Sequence, residues 1–227
     1  MDLEALEIEI KKGLKTLENL EDIVTIFGGA RVGRKSEAYY SIMKLARKLA
    51  KNGYSIMTGG GPGIMEAANR GLVEYKRGWN KDNKKQPKTL ECLKPILKSD
   101  SIVSIGLNIR LPNEQEMNPY VEVPLEFQNF FSRKLVFNYN STAFIVALGG
   151  FGTLDELSEV LVQIAIGKHK KIPIILYDKS YWRGFMKWLK CTMLEAGAIS
   201  KEELKLIQVA SSPKKVLKIL QQSKDKG

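Results

Sequence analysis

The chain is poor in the residues from which metal and thiol chemistry are built. Among 227 residues there is one histidine, His169, and two cysteines, Cys92 and Cys191, far apart and without metal-ligand spacing. A structural zinc site and a disulfide framework are therefore excluded as organising devices, and both thiols read as incidental. No apolar run approaches the ~18 residues that a membrane helix needs. Residues 1–20 form a charged amphipathic pattern rather than the apolar core of a signal peptide. The expectation is a cytoplasmic protein with no membrane partner. Aromatic residues are also sparse, at 8%, although the charge is strongly positive, with 36 Lys+Arg against 25 Asp+Glu. The surplus is concentrated in residues 75–100, with 8 basic and 3 acidic, and from residue 165 onward, with 14 basic and 5 acidic. Neither stretch has the aromatic interleaving of a single-strand binder, nor a helix-turn-helix, zinc-finger or RNP-like signature. They read as solvated basic faces, with no nucleic acid as partner.

What is present is alternation. Short β-rich apolar runs at 23–27, 54–57, 102–107, 143–148 and 172–177 read as buried strands. Helical spacing appears at 36–52, 63–75, 125–139, 153–167 and 181–196, with further helices at 2–20 and 213–222. With a core-sized hydrophobic fraction of 44% and no linker or repeat, the pattern predicts one α/β domain over residues 1–227. Its fold is expected to be a Rossmann-like, doubly wound parallel sheet flanked by helices. A lysine-rich stretch at about 76–99 breaks the alternation and reads as an exposed insertion.

Three strand ends carry the residues with chemical meaning. The run at 143–148 enters Gly149-Gly150-Phe151-Gly152-Thr153, followed by a helical pattern. Glycines let the backbone approach an anion, and the amides and dipole of a helix N-terminus attract one. The same residues, Thr153-Leu154-Asp155-Glu156, also have the T-x-x-E form of a capping box, in which Glu156 only satisfies backbone amides. A second junction, Thr58-Gly59-Gly60-Gly61-Pro62-Gly63-Ile64-Met65-Glu66, repeats the device. Neither loop has the GK[ST] of a Walker A or the G-x-G-x-x-G of a dinucleotide site. The third strand end, Phe27-Gly28-Gly29-Ala30-Arg31, adds a cation where ligands of open sheets collect.

Taken together, Gly59 to Gly71, Arg133-Lys134 and Gly149 to Glu156 resemble the LOG ("lonely guy") phosphoribohydrolases, whose members were long labelled lysine decarboxylases. The resemblance runs from about residue 23 to residue 177, helped by Ser104 to Ile109 and Glu114-Gln115-Glu116. It implies hydrolysis of the N-glycosidic bond of AMP or cytokinin riboside 5′-monophosphate to free base and ribose 5-phosphate, with Arg133 and Glu156 catalytic. No cofactor and no metal is needed for that reaction. It also implies a homodimer or larger homo-oligomer, for which Phe127, Phe130, Phe131 and Phe137 could supply either an interface or core packing.

Charge logic agrees with these roles. Cleavage develops positive charge on the ribose and negative charge on the departing base, so an anion is wanted near the sugar and a donor near the base or phosphate. Glu156 suits the first and Arg133 the second. Substrate contacts are assigned to Gly149, Gly150, Gly152 and Thr153, with Gly59, Gly60, Gly61 and Gly63 opposite, and to Lys134 and Arg31. Glu66 is either a ribose contact or a first-turn partner of the helix dipole. Asn69 and Arg70 are weaker candidates, and His169 reads as a surface residue. Two departures from the family pattern are Leu148, where the motif usually has proline, and the insertion. A carrier or sensor of the same fold, binding a nucleotide or cofactor without turnover, is the alternative.

Overall fold

A computed structural model describes residues 3–78, 102–110 and 116–225. The strands are β1 (Ile23–Phe27), β2 (Ser55–Thr58), β3 (Ser104–Ile109), β4 (Val123–Phe127), β5 (Ala143–Val146), β6 (Ile174–Tyr177) and β7 (Ile207–Ala210). The helices are α1 (Leu3–Leu17), α2 (Glu37–Lys51), α3 (Ile64–Lys76), α4 (Phe130–Asn140), α5 (Phe151–Ala165), α6 (Lys179–Trp188), α7 (Lys201–Leu204) and α8 (Pro213–Lys224). All neighbouring strands pair in parallel, in the order β4-β3-β2-β1-β5-β6-β7. This is the doubly wound α/β fold that the alternation predicts.

The inner strands β1, β2, β5 and β6 are buried at every residue, which is why they read as continuous apolar runs rather than alternating ones. One face of the sheet packs on α2, α3 and α8 through residues such as Tyr39, Leu45, Leu72 and Val216. The other packs on α1, α4, α5 and α6 through Leu17, Phe137, Leu157 and Trp182. After β1 the chain winds outward to β4, then returns to lay β5 on the opposite side of β1. Loops leaving the carboxyl ends of β1 and β5 therefore diverge, opening a crevice at the switch point.

Two strands escape the periodicity. β4 has the alternating burial of an edge strand, with Val123, Leu125 and Phe127 inward and Pro124 and Glu126 outward. The expected helix at 125–139 is thus a strand followed, after Gln128 and Asn129, by α4. Proline is tolerated in β4 because the strand lies at the sheet's edge. β7, at the other edge, is hidden in the lysine-rich tail. The expected helix at 181–196 is α6 continued by a π-helical segment, Leu189–Leu194. Of the insertion expected at about 76–99, Lys76 ends α3, Arg77 and Gly78 follow it, and the remainder lies outside the described residues.

The N-terminal helix has a positioning role. From α1, Glu9 accepts hydrogen bonds from the Gln128 amide (2.7 Å), Asn129 Nδ2 (3.3 Å) and Ser132 Oγ (2.5 Å), tying down the first turn of α4. No side chain caps α4 from its own N-cap residue, Asn129; Glu9 instead anchors the side chains of Asn129 and Ser132 and sets a negative charge near the positive end of the helix.

Candidate active site

The β5–α5 junction presents unpaired donors. Gly150 is the N-cap of α5 and makes no side-chain cap bond. Its carbonyl accepts from the amides of Thr153 and Leu154, both at 3.1 Å. Among the described residues, no hydrogen bond takes the amides of Gly150, Phe151 or Gly152. Three free amides at the positive end of a 15-residue helix are the arrangement from which anion-binding sites are built. The capping-box alternative is overturned, because Thr153 lies inside the helix and Glu156 a further turn along, with its carboxylate directed elsewhere. Gly149 is required by close packing, since a Cβ there would lie 2.0 Å from Thr153 Oγ1.

Glu156 instead meets Arg133. Arg133 Nη2 donates to Glu156 Oε1 at 3.0 Å, bridging α4 and α5. Both side chains are largely buried, at 13% and 9% exposure. Burial raises the Glu156 pKa, opposed by the positive charges of Arg133 and Lys134. Burial likewise lowers that of Arg133, opposed by Glu156. The guanidinium lies over the rings of Phe130 (5.2 Å) and Phe137 (5.7 Å), so the apolar residues of α4 orient it. Its Nε is buried without a hydrogen-bond partner among the described residues, and Nη1 is 3.9 Å from where a Cβ on Gly59 would stand.

The β2–α3 loop has the same composition and a different use. Asn118 Nδ2 donates to the carbonyls of Gly60 and Gly61 and to Asn69 Oδ1, each at 3.0 Å. Thr58 Oγ1 donates to Asn69 Oδ1 and accepts from the Gly60 amide. Gly63 has φ +70°, and a Cβ on it would come within 2.4 Å of the Gly29 carbonyl. Glu66 accepts two bonds from Arg34, at 2.7 and 3.0 Å, and one from the Tyr39 hydroxyl at 2.8 Å. It is 3% exposed, so it braces the β1–α2 loop from within.

A cleft of about 1020 Å³ opens between these elements at the carboxyl edge of the sheet. Of the residues singled out by sequence, Arg31, Gly59, Arg133, Gly149, Gly150, Gly152, Thr153 and Glu156 line it. Gly60, Gly61, Gly63, Glu66 and Lys134 do not. Lys134 pairs with Asp155 (2.7 Å) and Glu159 (2.6 Å), a second clasp between α4 and α5. Asn69 is a buried hub that also donates to Ser104, while Arg70 pairs with Glu74. His169 is half-buried, with both ring nitrogens against the carbonyls of Lys170 and Asn138. Sequence reasoning missed Asn118, which fixes one loop, and Tyr181, which touches the other. Both act across long sequence separations, for which no local motif exists.

An open parallel sheet with a glycine-rich helix start at its switch point defines a Rossmann-like α/β protein. The chain belongs to the LOG family, whose model, described as "Possible lysine decarboxylase", matches residues 65–220. A model described as "SLOG cluster4 family" matches residues 21–80. The chain is similar to the cytokinin riboside 5′-monophosphate phosphoribohydrolase LOG of Oryza sativa subsp. japonica, at 22% identity over 86% of this chain and 70% of that protein. It is 25% identical to LOG3 of Arabidopsis thaliana, which carries the same description, over 88% of this chain and 81% of the relative. Among solved structures, the molybdenum cofactor binding protein of Rippkaea orientalis shares the fold with a TM-score of 0.58 and 17% identity, covering 89% of this chain and 96% of the other. The molybdenum cofactor carrier protein of Chlamydomonas reinhardtii gives 0.54 and 19%, covering 89% and 98%.

Proposed function

We propose that this protein hydrolyses the N-glycosidic bond of nucleoside 5′-monophosphates, releasing the free base and ribose 5-phosphate. The observation that carries the reading is one cleft holding both a set of unpaired helix amides and a buried carboxylate–guanidinium pair. The amides of Gly150, Phe151 and Gly152 take the phosphate, aided by the Thr153 hydroxyl and Arg31. Glu156 faces the ribose, where its negative charge stabilises the cationic C1′ of the transition state and orients water. Water adds its oxygen to C1′ as the bond to the base nitrogen breaks. Glu156 relays the proton lost by that water to the departing base. Arg133 holds Glu156 and offers its remaining donors to the base or the phosphate.

Family membership and the activity for which the plant relatives are named support the same chemistry. A carboxylate in the wall of the cleft, beside the open amides, is what cleavage of a glycosidic bond calls for and what capture of an anion does not need. The proposed assembly is a homo-oligomer formed through α4 and α5. Of the four phenylalanines considered for it, Phe127 and Phe137 are core, whereas Phe130 and Phe131 are exposed, as are Tyr139, Val162 and Ile166.

The test is incubation with a panel of nucleoside 5′-monophosphates, and separately with nucleosides and lysine, reading free base by chromatography. Base release from a monophosphate is expected, and Glu156→Gln and Arg133→Ala should each lose it while remaining folded by circular dichroism. Near-wild-type release in either variant removes that residue from the mechanism. Tight binding of one ligand without turnover of any favours a carrier.

A further inference from the structure

The first turn of α6 reaches back over the loop that follows β5. Tyr181 sets its hydroxyl against a single glycine, donating to the Gly149 carbonyl at 2.6 Å and accepting from the Gly149 amide at 3.3 Å. The next residue, Trp182, donates its indole N–H to the Val146 carbonyl at 3.1 Å. Consecutive side chains thus grip the chain where β5 ends and where the glycine loop begins. Trp182 is buried in the core, whereas Tyr181 is 45% exposed and stands in the wall of the cleft.

The loop has little else to hold its outer side. Cβ atoms built on Gly150 and Gly152 would meet nothing within 4 Å, so neither residue is braced by packing. Leu148 has no ring to restrict its own backbone. On the inner side, the Gly29 amide donates to the Leu148 carbonyl at 2.9 Å, and Thr153 packs beneath Gly149.

The direction of α6 is itself built at a backbone cost. Asp178, its N-cap, is a non-glycine residue at φ +84°. Its Oδ1 accepts from the Ser180 amide (2.9 Å), the Ser180 hydroxyl (2.6 Å) and the Tyr181 amide (3.4 Å). Backbone strain of this kind persists where surrounding contacts over-determine it. Here those contacts aim the first turn at Gly149.

We propose that Tyr181 is a positioning residue for the anion loop. It holds Gly149 so that the amides of Gly150, Phe151 and Gly152 converge on one ligand group, setting affinity for the phosphate end of the ligand rather than the rate of bond cleavage. The proposal rests on the reading that a phosphate occupies this loop.

Tyr181→Phe keeps the ring and removes both hydrogen bonds. Inorganic phosphate, ribose 5-phosphate, AMP and adenosine are titrated calorimetrically into wild type and variant, with adenine release from AMP measured in parallel. The three phosphate-bearing compounds should bind roughly tenfold more weakly to the variant, as expected for a lost loop-fixing hydrogen bond, with adenosine unchanged. KM for AMP should rise in step, with kcat within about twofold. Equal affinities in the two proteins, equal weakening of adenosine, or a fall in kcat at constant KM would each overturn the assignment. A wild type that binds the phosphates but releases no base from AMP or from any monophosphate of the panel defeats the hydrolase reading alone, and the affinities still judge Tyr181. A wild type that binds none of the phosphates defeats both.

Discussion

The two glycine-rich junctions, β2–α3 and β5–α5, are alike on paper and differ in what their side chains engage. Each follows a buried strand, opens a helix and places a glutamate early in it. In the first, Asn118 takes two carbonyls, Thr58 takes an amide, and Glu66 is consumed by Arg34 and Tyr39. In the second, the amides of Gly150, Phe151 and Gly152 have no partner among the described residues and the glutamate lines the cleft. The difference lies in the side chains: Asn118, Thr58 and Glu66 are spent on holding the first loop and its neighbours, whereas Glu156 and the glycines of the second line the cleft. Gly63, pressed on Gly29, makes the first loop a buttress for the second.

The contrast is broken most directly at the two glutamates. Glu156→Gln should lower base release by about a thousandfold, as for loss of a group that stabilises transition-state charge. Glu66→Gln should leave kcat near wild type and instead cost about 1–2 kcal/mol of stability in denaturant titration. Comparable activity losses in both would erase the distinction. Next in size are the glycines. Gly149→Ala, which forces a Cβ onto Thr153, should lower kcat/KM for AMP by about a hundredfold through displacement of the loop. Gly60→Ala, at φ +72°, should cost about 1 kcal/mol of stability with KM little changed.

The smallest effect is on pH dependence. Burial raises the Glu156 pKa above its ordinary value of 4.5, and the reaction needs the anion. As pH falls through the raised value the carboxylate protonates, so the acid limb of the kcat/KM profile should lie above the ordinary carboxylate range. Lys134→Met removes a charge that favours the anion and should move that limb further up. Linkage gives the matching sign for stability. Glu156 favours the fold most below its unfolded pKa, and that contribution is lost as pH rises through the folded one. An acid limb at the ordinary value would place Glu156 in water rather than in the wall of the cleft.

Much of this was legible in the residues themselves. The inner strands announced a parallel sheet because burial on both faces writes an unbroken apolar run. The edges did not, since β4 alternates and carries Pro124, while Leu125 and Phe127 merge in spacing with the aromatics of α4. Within the candidate site, glycine and helix-start chemistry is local and readable. Which of two similar loops has its carbonyls and its glutamate taken up depends on Asn118, Arg34 and Tyr39, residues distant in sequence whose arrival only the fold decides. Arg133 is readable as a cation but not as one laid over Phe130 and Phe137.

Recognition by main-chain amides has a further consequence. Backbone N–H groups do not titrate, and Phe151, the side chain between the two open glycines, is 91% exposed. An anion held by this loop is captured by groups indifferent to acidity and nearly indifferent to what residue 151 is. The pH dependence of capture then comes from the anion itself, whose second ionisation lies at about 6 for a phosphate ester, and position 151 becomes a place where a reporter dye can be attached beside the site without altering its donors.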